Sequence, residues 1–278
     1  MRLLRVGPKG AEKPALLDKS GVLRDLSGVV SDITGAMLTA EGLAMLAAVD
    51  AAGLPKIEGA PRIGVPIANI GKIVGIGLNY HDHAVAAEKP VPEEPIMFLK
   101  PNSTITGPGD TVKKPRTARK LDWECEIVIV IGKQGTNIAQ ADAAGHIAGW
   151  MMANDYTERW FQNDRGGTWD KGKCGDDFTP LGPWLVTKDE IADINALKIW
   201  ADVNGKRYQD GNSSSMIFKP DFLVAHVSEF MTLYPGDVIL TGTPAGVGAL
   251  QKPPVFLNVG DVVTLGIEGL GEQAQEIV

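Results

Sequence analysis

The chain has 278 residues, of which 44% are hydrophobic and 22% charged, a makeup that suits a folded protein of one large domain or a domain with a small appendage and excludes disorder over most of its length. A net charge of −7 repels phosphate backbones and argues against a nucleic-acid binder. Two cysteines exclude a disulfide framework and a Cys-rich zinc site, no apolar run approaches a membrane span, and Met1-Arg2-Leu3-Leu4-Arg5 lacks a signal-peptide core, so a soluble cytoplasmic protein is expected.

The 33 Gly and 18 Pro favour many turns and short strands over a helical bundle. Leu3-Leu4-Arg5-Val6, Ala15-Leu16-Leu17 and Val22 to Leu26 are predicted strands, and Ala40 to Ala52 a predicted helix ending at Gly53. The Pro/Gly-rich passage from Pro55 to Pro66 is the predicted boundary between a small N-terminal α+β domain, 1–65, and a larger domain, 66–278. Lys72 to Gly77, Ile96 to Leu99 and Glu126 to Ile131 read as buried strands, with a helix over Tyr80 to Ala87. Ile138 to Ala153 reads as a helix running into a strand. Several strands with turn signals follow between Asn195 and Leu265. Helices do not alternate regularly with strands, so the prediction is a β-rich α+β fold, not a doubly wound sheet or (β/α) barrel.

Asp122-Trp123-Glu124-Cys125-Glu126 leads directly into an apolar strand. Strand residues two apart share a face, so Glu124 and Glu126 project together and repel unless something compensates; a hard divalent cation would. The alternative is a solvent-facing edge. Asn154-Asp155 ends the next apolar run, and Asp155 is a candidate third carboxylate. If a helix follows, Arg159 and Gln162 lie on its side, and Arg159 suits a carboxylate; the alternative is an N-capping Asp155 paired with Arg159. Lys171 and Lys173 both sit in a charged, glycine-rich stretch, and either is able to bind an enolate oxygen. His81 and His83 are candidate general bases, or zinc ligands. His146 and His226 read as structural. Thr241 to Gly248 is a glycine-rich loop of the kind that cradles an anion.

Taken together, Gly77 to His83, Pro95 to Pro101, Asp122 to Glu126, Asn154-Asp155, Gly172-Lys173, Pro180 to Trp184 and Thr241 to Pro244, in that order, resemble the fumarylacetoacetate hydrolase superfamily from about Lys72 to Leu265. The N-terminal unit resembles that of bacterial members, often labelled ureidoglycolate lyase, that hydrolyse 2,4-diketo-3-deoxy sugar acids. The resemblance implies a mixed β-roll catalytic domain and a homodimer or dimer of dimers. It implies Mg²⁺ or Mn²⁺ held by Glu124, Glu126 and Asp155. It favours Lys173 over Lys171, assigns water activation to His83, and places Tyr80, Arg159, Gln162 and Thr243 at the substrate. Ala86 stands where the family carries a Glu that orients the histidine, which makes Glu88 a candidate substitute.

The implied activity is metal-dependent C–C hydrolysis of a 2,4-diketo acid, such as a rhamnonate or fuconate derivative, to pyruvate and a second acid such as lactate. The alternatives are a ureidoglycolate lyase, an oxaloacetate decarboxylase or acylpyruvase, an isomerase of a related 2-oxo acid, and a non-catalytic metal-binding protein.

Overall fold

The computed structural model describes residues 1–278. Thirteen strands form two sheets. The larger is built from β1 (Arg2–Val6), β2 (Lys13–Leu17), β3 (Leu23–Asp25), β4 (Ile73–Gly77), β5 (Ile96–Lys100), β6 (Cys125–Ile131), β7 (Ile147–Asn154), β8 (Leu185–Thr187) and β11 (Val238–Leu240). Their spatial order is β3-β2-β1-β8-β7-β6-β11-β4-β5. The smaller sheet is β9 (Lys198–Val203), β10 (Lys206–Asn212), β12 (Val262–Ile267) and β13 (Gly271–Glu276), in the order β10-β9-β12-β13. Four short α-helices, α1 (Ala40–Ala47), α2 (His81–Ala86), α3 (Trp169–Lys173) and α4 (Pro220–Phe230), are scattered among them. The expected strand-rich α+β class is borne out. The smaller N-terminal subdomain joins the sheet edge through β1, whose Arg2 and Leu3 face Val186 and Leu185 of β8.

The large sheet is buried on both faces, which explains why its central strands read as unbroken apolar runs. Ile127, Ile129 and Ile131 of β6 enter one core, and Val128 and Val130 enter the other. All five are fully buried, each worth roughly 1.5–3 kcal/mol of burial.

Local structure departs from expectation in three places. The helix predicted over Ala40 to Ala52 stops at Ala47, with a separate 3₁₀ turn over Ala51–Gly53. The segment before β7 is a 3₁₀ run over Gln140–His146, not an α-helix. The chain after Asp155 is not helical at once. It pairs Thr157 and Glu158 with Asp122 and Leu121, and only then makes a π-helical turn over Trp160–Asp164.

Strand direction decides where the site forms. β4 and β11 run parallel, while β6 is antiparallel to both β11 and β7. The ends of β4, β7 and β11 and the start of β6 therefore lie along one edge of the sheet. The loops there carry His83, Asp155, Thr243, Glu124 and Glu126. Buried Asn79 ties two of them together, donating to Thr241 O at 2.8 Å and Phe218 O at 3.0 Å.

A candidate metal centre in a half-apolar cavity

Register sets the carboxylates. Cys125 of β6 faces Asn154 of β7, and the ladder continues one step further as the Asp155 N–H donates to Glu124 O at 2.8 Å. Glu124 and Asp155 are thus opposite each other, with Glu126 two residues along on the same face as Glu124. All three are buried, and one oxygen from each lies within 4.8 Å of the others.

Three cations surround them. Lys173 Nζ bridges Glu124 Oε2 and Asp155 Oδ2, 2.5 Å from each. Lys100 Nζ, equally buried, pairs with Asp155 Oδ1 and donates to Phe178 O at 3.1 Å. Arg159 Nη2 donates to Glu124 Oε1 at 2.5 Å and its Nε to Asp122 Oδ2 at 2.8 Å. The protonation states follow. Burial works to raise the Glu124 carboxyl, but Arg159 and Lys173 outweigh it and hold it well below the ordinary range. Burial also works against the Lys173 ammonium, but Asp155 and Glu124 outweigh that and keep it charged.

Glu126 differs. No Lys or Arg pairs with it, and its Oε2 accepts only the Gly242 N–H, at 2.7 Å. Burial, together with the charges of Asp155 and Glu124, pushes its carboxyl well above the ordinary range. A buried carboxylate facing two others without a cation of its own is a group that a positive ion would satisfy. The donors are all oxygen, so the cluster fits a hard divalent cation. It is able to coordinate one.

His83 projects from α2 into the same cavity, and its Nδ1 lies 3.1 Å from Thr243 O. Burial pulls its pKa below the ordinary value. His81 is exposed. His146 bonds Lys133 O, and His226 stacks on Phe222 and meets Phe230 edge-on.

The cavity measures about 200 Å³ and is lined by His83, Glu124, Glu126, Arg159, Gln162, Lys173 and Thr243 among others. Lys171 points elsewhere, donating to Arg165 O at 2.8 Å. Several residues expected at the substrate prove engaged. Tyr80 is fully buried in the core and does not line the cavity. The Thr243 hydroxyl donates to Cys125 O at 2.8 Å and accepts from Gln209 Nε2 at 2.7 Å, so it has no proton left for a substrate carboxylate. Arg159 Nη1 reaches Gln162 Oε1 at 3.3 Å, so each of its nitrogens already has a partner. Glu88 is no partner of the imidazole. It stands at the surface, 3.8 Å from Lys252 Nζ. The Thr243 carbonyl occupies the orienting position instead.

Two residues gained importance only from the fold. Lys100 is one. Asp122 is the other: its Oδ1 accepts the Gly248 N–H at 2.6 Å, and its Oδ2 accepts from Arg159 and from the Ala249 N–H at 3.1 Å. It therefore locks the 247–250 loop to the guanidinium that holds Glu124.

Comparison with known proteins agrees with this geometry. A family model described as fumarylacetoacetate (FAA) hydrolase C-terminal matches residues 72–278. A protein of Burkholderia orbicola (strain MC0-3), designated a hydrolase with no substrate stated, is 52% identical over 276 residues, spanning 99% of this chain and 98% of that protein. Among solved structures, fumarylacetoacetate hydrolase from psychrophilic Exiguobacterium antarcticum superposes with a TM-score of 0.89 at 31% identity, covering 100% of this chain and 99% of that one. Maleylpyruvate hydrolase from Sphingobium sp. SYK-6, solved with manganese(II) and pyruvate, gives 0.83 at 27% identity, with 100% and 99% coverage.

Proposed function

The chain belongs to the fumarylacetoacetate hydrolase family, with a metal-binding site suited to a hydrolase or isomerase of 2-oxo-acid-type substrates, and from that premise we propose that it hydrolyses the C3–C4 bond of a 2,4-diketo acid. One water is consumed. The C4 carbonyl becomes the carboxyl of one product, and C3 gains a proton to become the methyl of pyruvate.

The observation that carries this reading is the His83 imidazole facing the same cavity as three carboxylates, with a lysine bridging two of them. Glu124, Glu126 and Asp155 would hold Mg²⁺ or Mn²⁺, which supplies Lewis-acid polarisation of a keto oxygen. His83 is held by the Thr243 carbonyl with its proton on Nδ1. Nε2 is then bare, and takes a proton from water as the water oxygen attacks C4. Lys173 stays protonated beside the carboxylates, and its ammonium offsets the negative charge that grows on the departing enolate oxygen. The proton gathered on His83 returns to C3. The apolar walls limit the water that reaches the site.

The test is pyruvate release from a panel of 2,4-diketo acids, with and without chelator. Metal-dependent pyruvate with an equimolar second acid supports the reading. Carbon dioxide from oxaloacetate, urea from ureidoglycolate, or an isomer of unchanged mass would replace it with decarboxylase, lyase or isomerase action on the same scaffold. The sugar-acid tail suggested by the N-terminal resemblance is a separate question, because it concerns the rest of the cavity.

A further inference from the structure

The cavity lining divides into two chemical sets. One is the carboxylate cluster with the charged groups around it, which forms a polar floor. Much of the rest is an apolar wall: Leu78, Ile96, Trp169, Val247, Ala249 and Leu250. Resting on the diketo-acid reading, we propose that this wall selects substrates whose C4 substituent is an unsubstituted alkyl or aryl group over the polyhydroxylated tail of a sugar acid.

The head of a 2,4-diketo acid carries its carboxylate and two keto oxygens, so it belongs at the polar floor. Its C4 substituent then lies against the apolar wall. A hydroxylated tail placed there sheds its water and finds few replacements. Away from the floor, the only polar side chains lining the cavity are Lys89 and Asn163, and both are exposed. Buried hydroxyls without partners weaken binding, whereas methylene or ring carbons in the same place strengthen it.

The wall is fixed in place, not a chance lining. The Trp169 indole lies on bare Gly77: a Cβ there would come within 2.0 Å of the ring. Trp169 also meets Phe98, with ring centroids 5.9 Å apart. Val247 to Leu250 are pinned through Gly248 and Ala249 to Asp122, and so keep a set distance from the floor. Leu78 has φ +50, a left-handed backbone that glycine adopts freely and leucine resists. A bulky apolar side chain is thus kept at the cavity at the expense of local conformation.

The test compares kcat/KM by pyruvate release for 2,4-diketo acids bearing methyl, propyl, phenyl, carboxyvinyl and dihydroxyalkyl groups at C4. Propyl or phenyl should exceed dihydroxyalkyl on the order of 10²-fold, the discrimination an apolar pocket reaches against a hydroxyl. Leu250→Asn should shrink that ratio about tenfold. Leu78→Gly should shrink it too, and because glycine relaxes the backbone there the variant keeps its fold, as its melting curve will report. Pyruvate from every substrate with the hydroxylated or carboxylated tail preferred, or a ratio unmoved in both variants, overturns this inference and leaves C–C hydrolysis standing. No pyruvate from any of them overturns both.

Discussion

Nδ1 of His83 lies 3.1 Å from the carbonyl oxygen of Thr243. A carbonyl only accepts, so the proton sits on Nδ1 and the base is Nε2. His83→Ala should lower kcat by ~10²–10⁴-fold, the usual worth of a positioned general base. Burial pulls the imidazole below its ordinary value of 6.5, with Glu124 opposing and Arg159 reinforcing the shift. Neutral base therefore persists below that pH and is lost as pH falls through the lowered pKa. The acid limb of kcat/KM should lie below pH 6.5 and be missing from the residual activity of His83→Gln. Glu88→Ala should change kcat/KM by less than about twofold, since its carboxylate faces solvent and Lys252.

Glu126 should reveal itself without any assay of turnover. Its carboxyl is raised in the metal-free protein by burial and by Asp155 and Glu124. A raised folded-state carboxyl means stability declines as pH climbs above its unfolded value near 4.5. Metal-free Glu126→Gln should therefore melt higher than metal-free wild type at pH 7. Added Mn²⁺ should stabilise wild type by about 2.7 kcal/mol at a hundredfold excess over Kd, and Glu126→Gln far less. Calorimetry of both proteins with and without metal checks both signs.

Removing Lys100 tests the buried ion pair. Lys100→Met keeps the volume but leaves the Asp155 Oδ1 atom without its ammonium. Breaking one side of a buried pair costs about 3–5 kcal/mol. A urea titration should show that loss, and a second substitution, Asp155→Asn, should cost much less in the Lys100→Met background than in wild type.

Asp110 and Arg62 join the N-terminal subdomain to the rest of the chain. Arg62 donates to both carboxylate oxygens of Asp110 at 2.6 Å and to Glu12 at 2.9 Å. Burial works to raise Asp110, but Arg62, the Gly107 N–H and Thr106 outweigh it and hold its pKa at about 2. A depressed carboxyl stabilises above its unfolded value near 3.8 and stops doing so as pH falls through about 2. Asp110→Asn should melt lower than wild type at pH 6, and the gap should close as pH approaches 2.

The carboxylates were legible because their signal is local. Strand alternation puts Glu124 and Glu126 together, and an apolar run stops abruptly at Asn154-Asp155. Lys100 was not legible as part of the centre. It ends an ordinary strand, and its partner lies 55 residues away. Asp122 was visible only as one more acid in an acidic stretch, since its role depends on the 248–249 amides. Tyr80 and Thr243 could not be placed from the motif for the opposite reason: Tyr80 does not line the cavity, and Thr243 lines it with its hydroxyl already engaged. A motif gives the order of residues but not which way a side chain turns, and here one enters the core while the other hydrogen bonds to Cys125 and Gln209. No helix follows Asp155 directly, because Thr157 and Glu158 find strand partners first.

The two halves of the centre have different supports. Glu124, Glu126 and Asp155 come from one antiparallel strand pair, β6 and β7, close in sequence and joined by a continuous ladder. His83 and Thr243 follow β4 and β11, a parallel pair whose members are more than 150 residues apart. Closing the first pair is a local event, whereas the second must wait for nearly the whole chain. During refolding, ion binding should then be recovered before turnover.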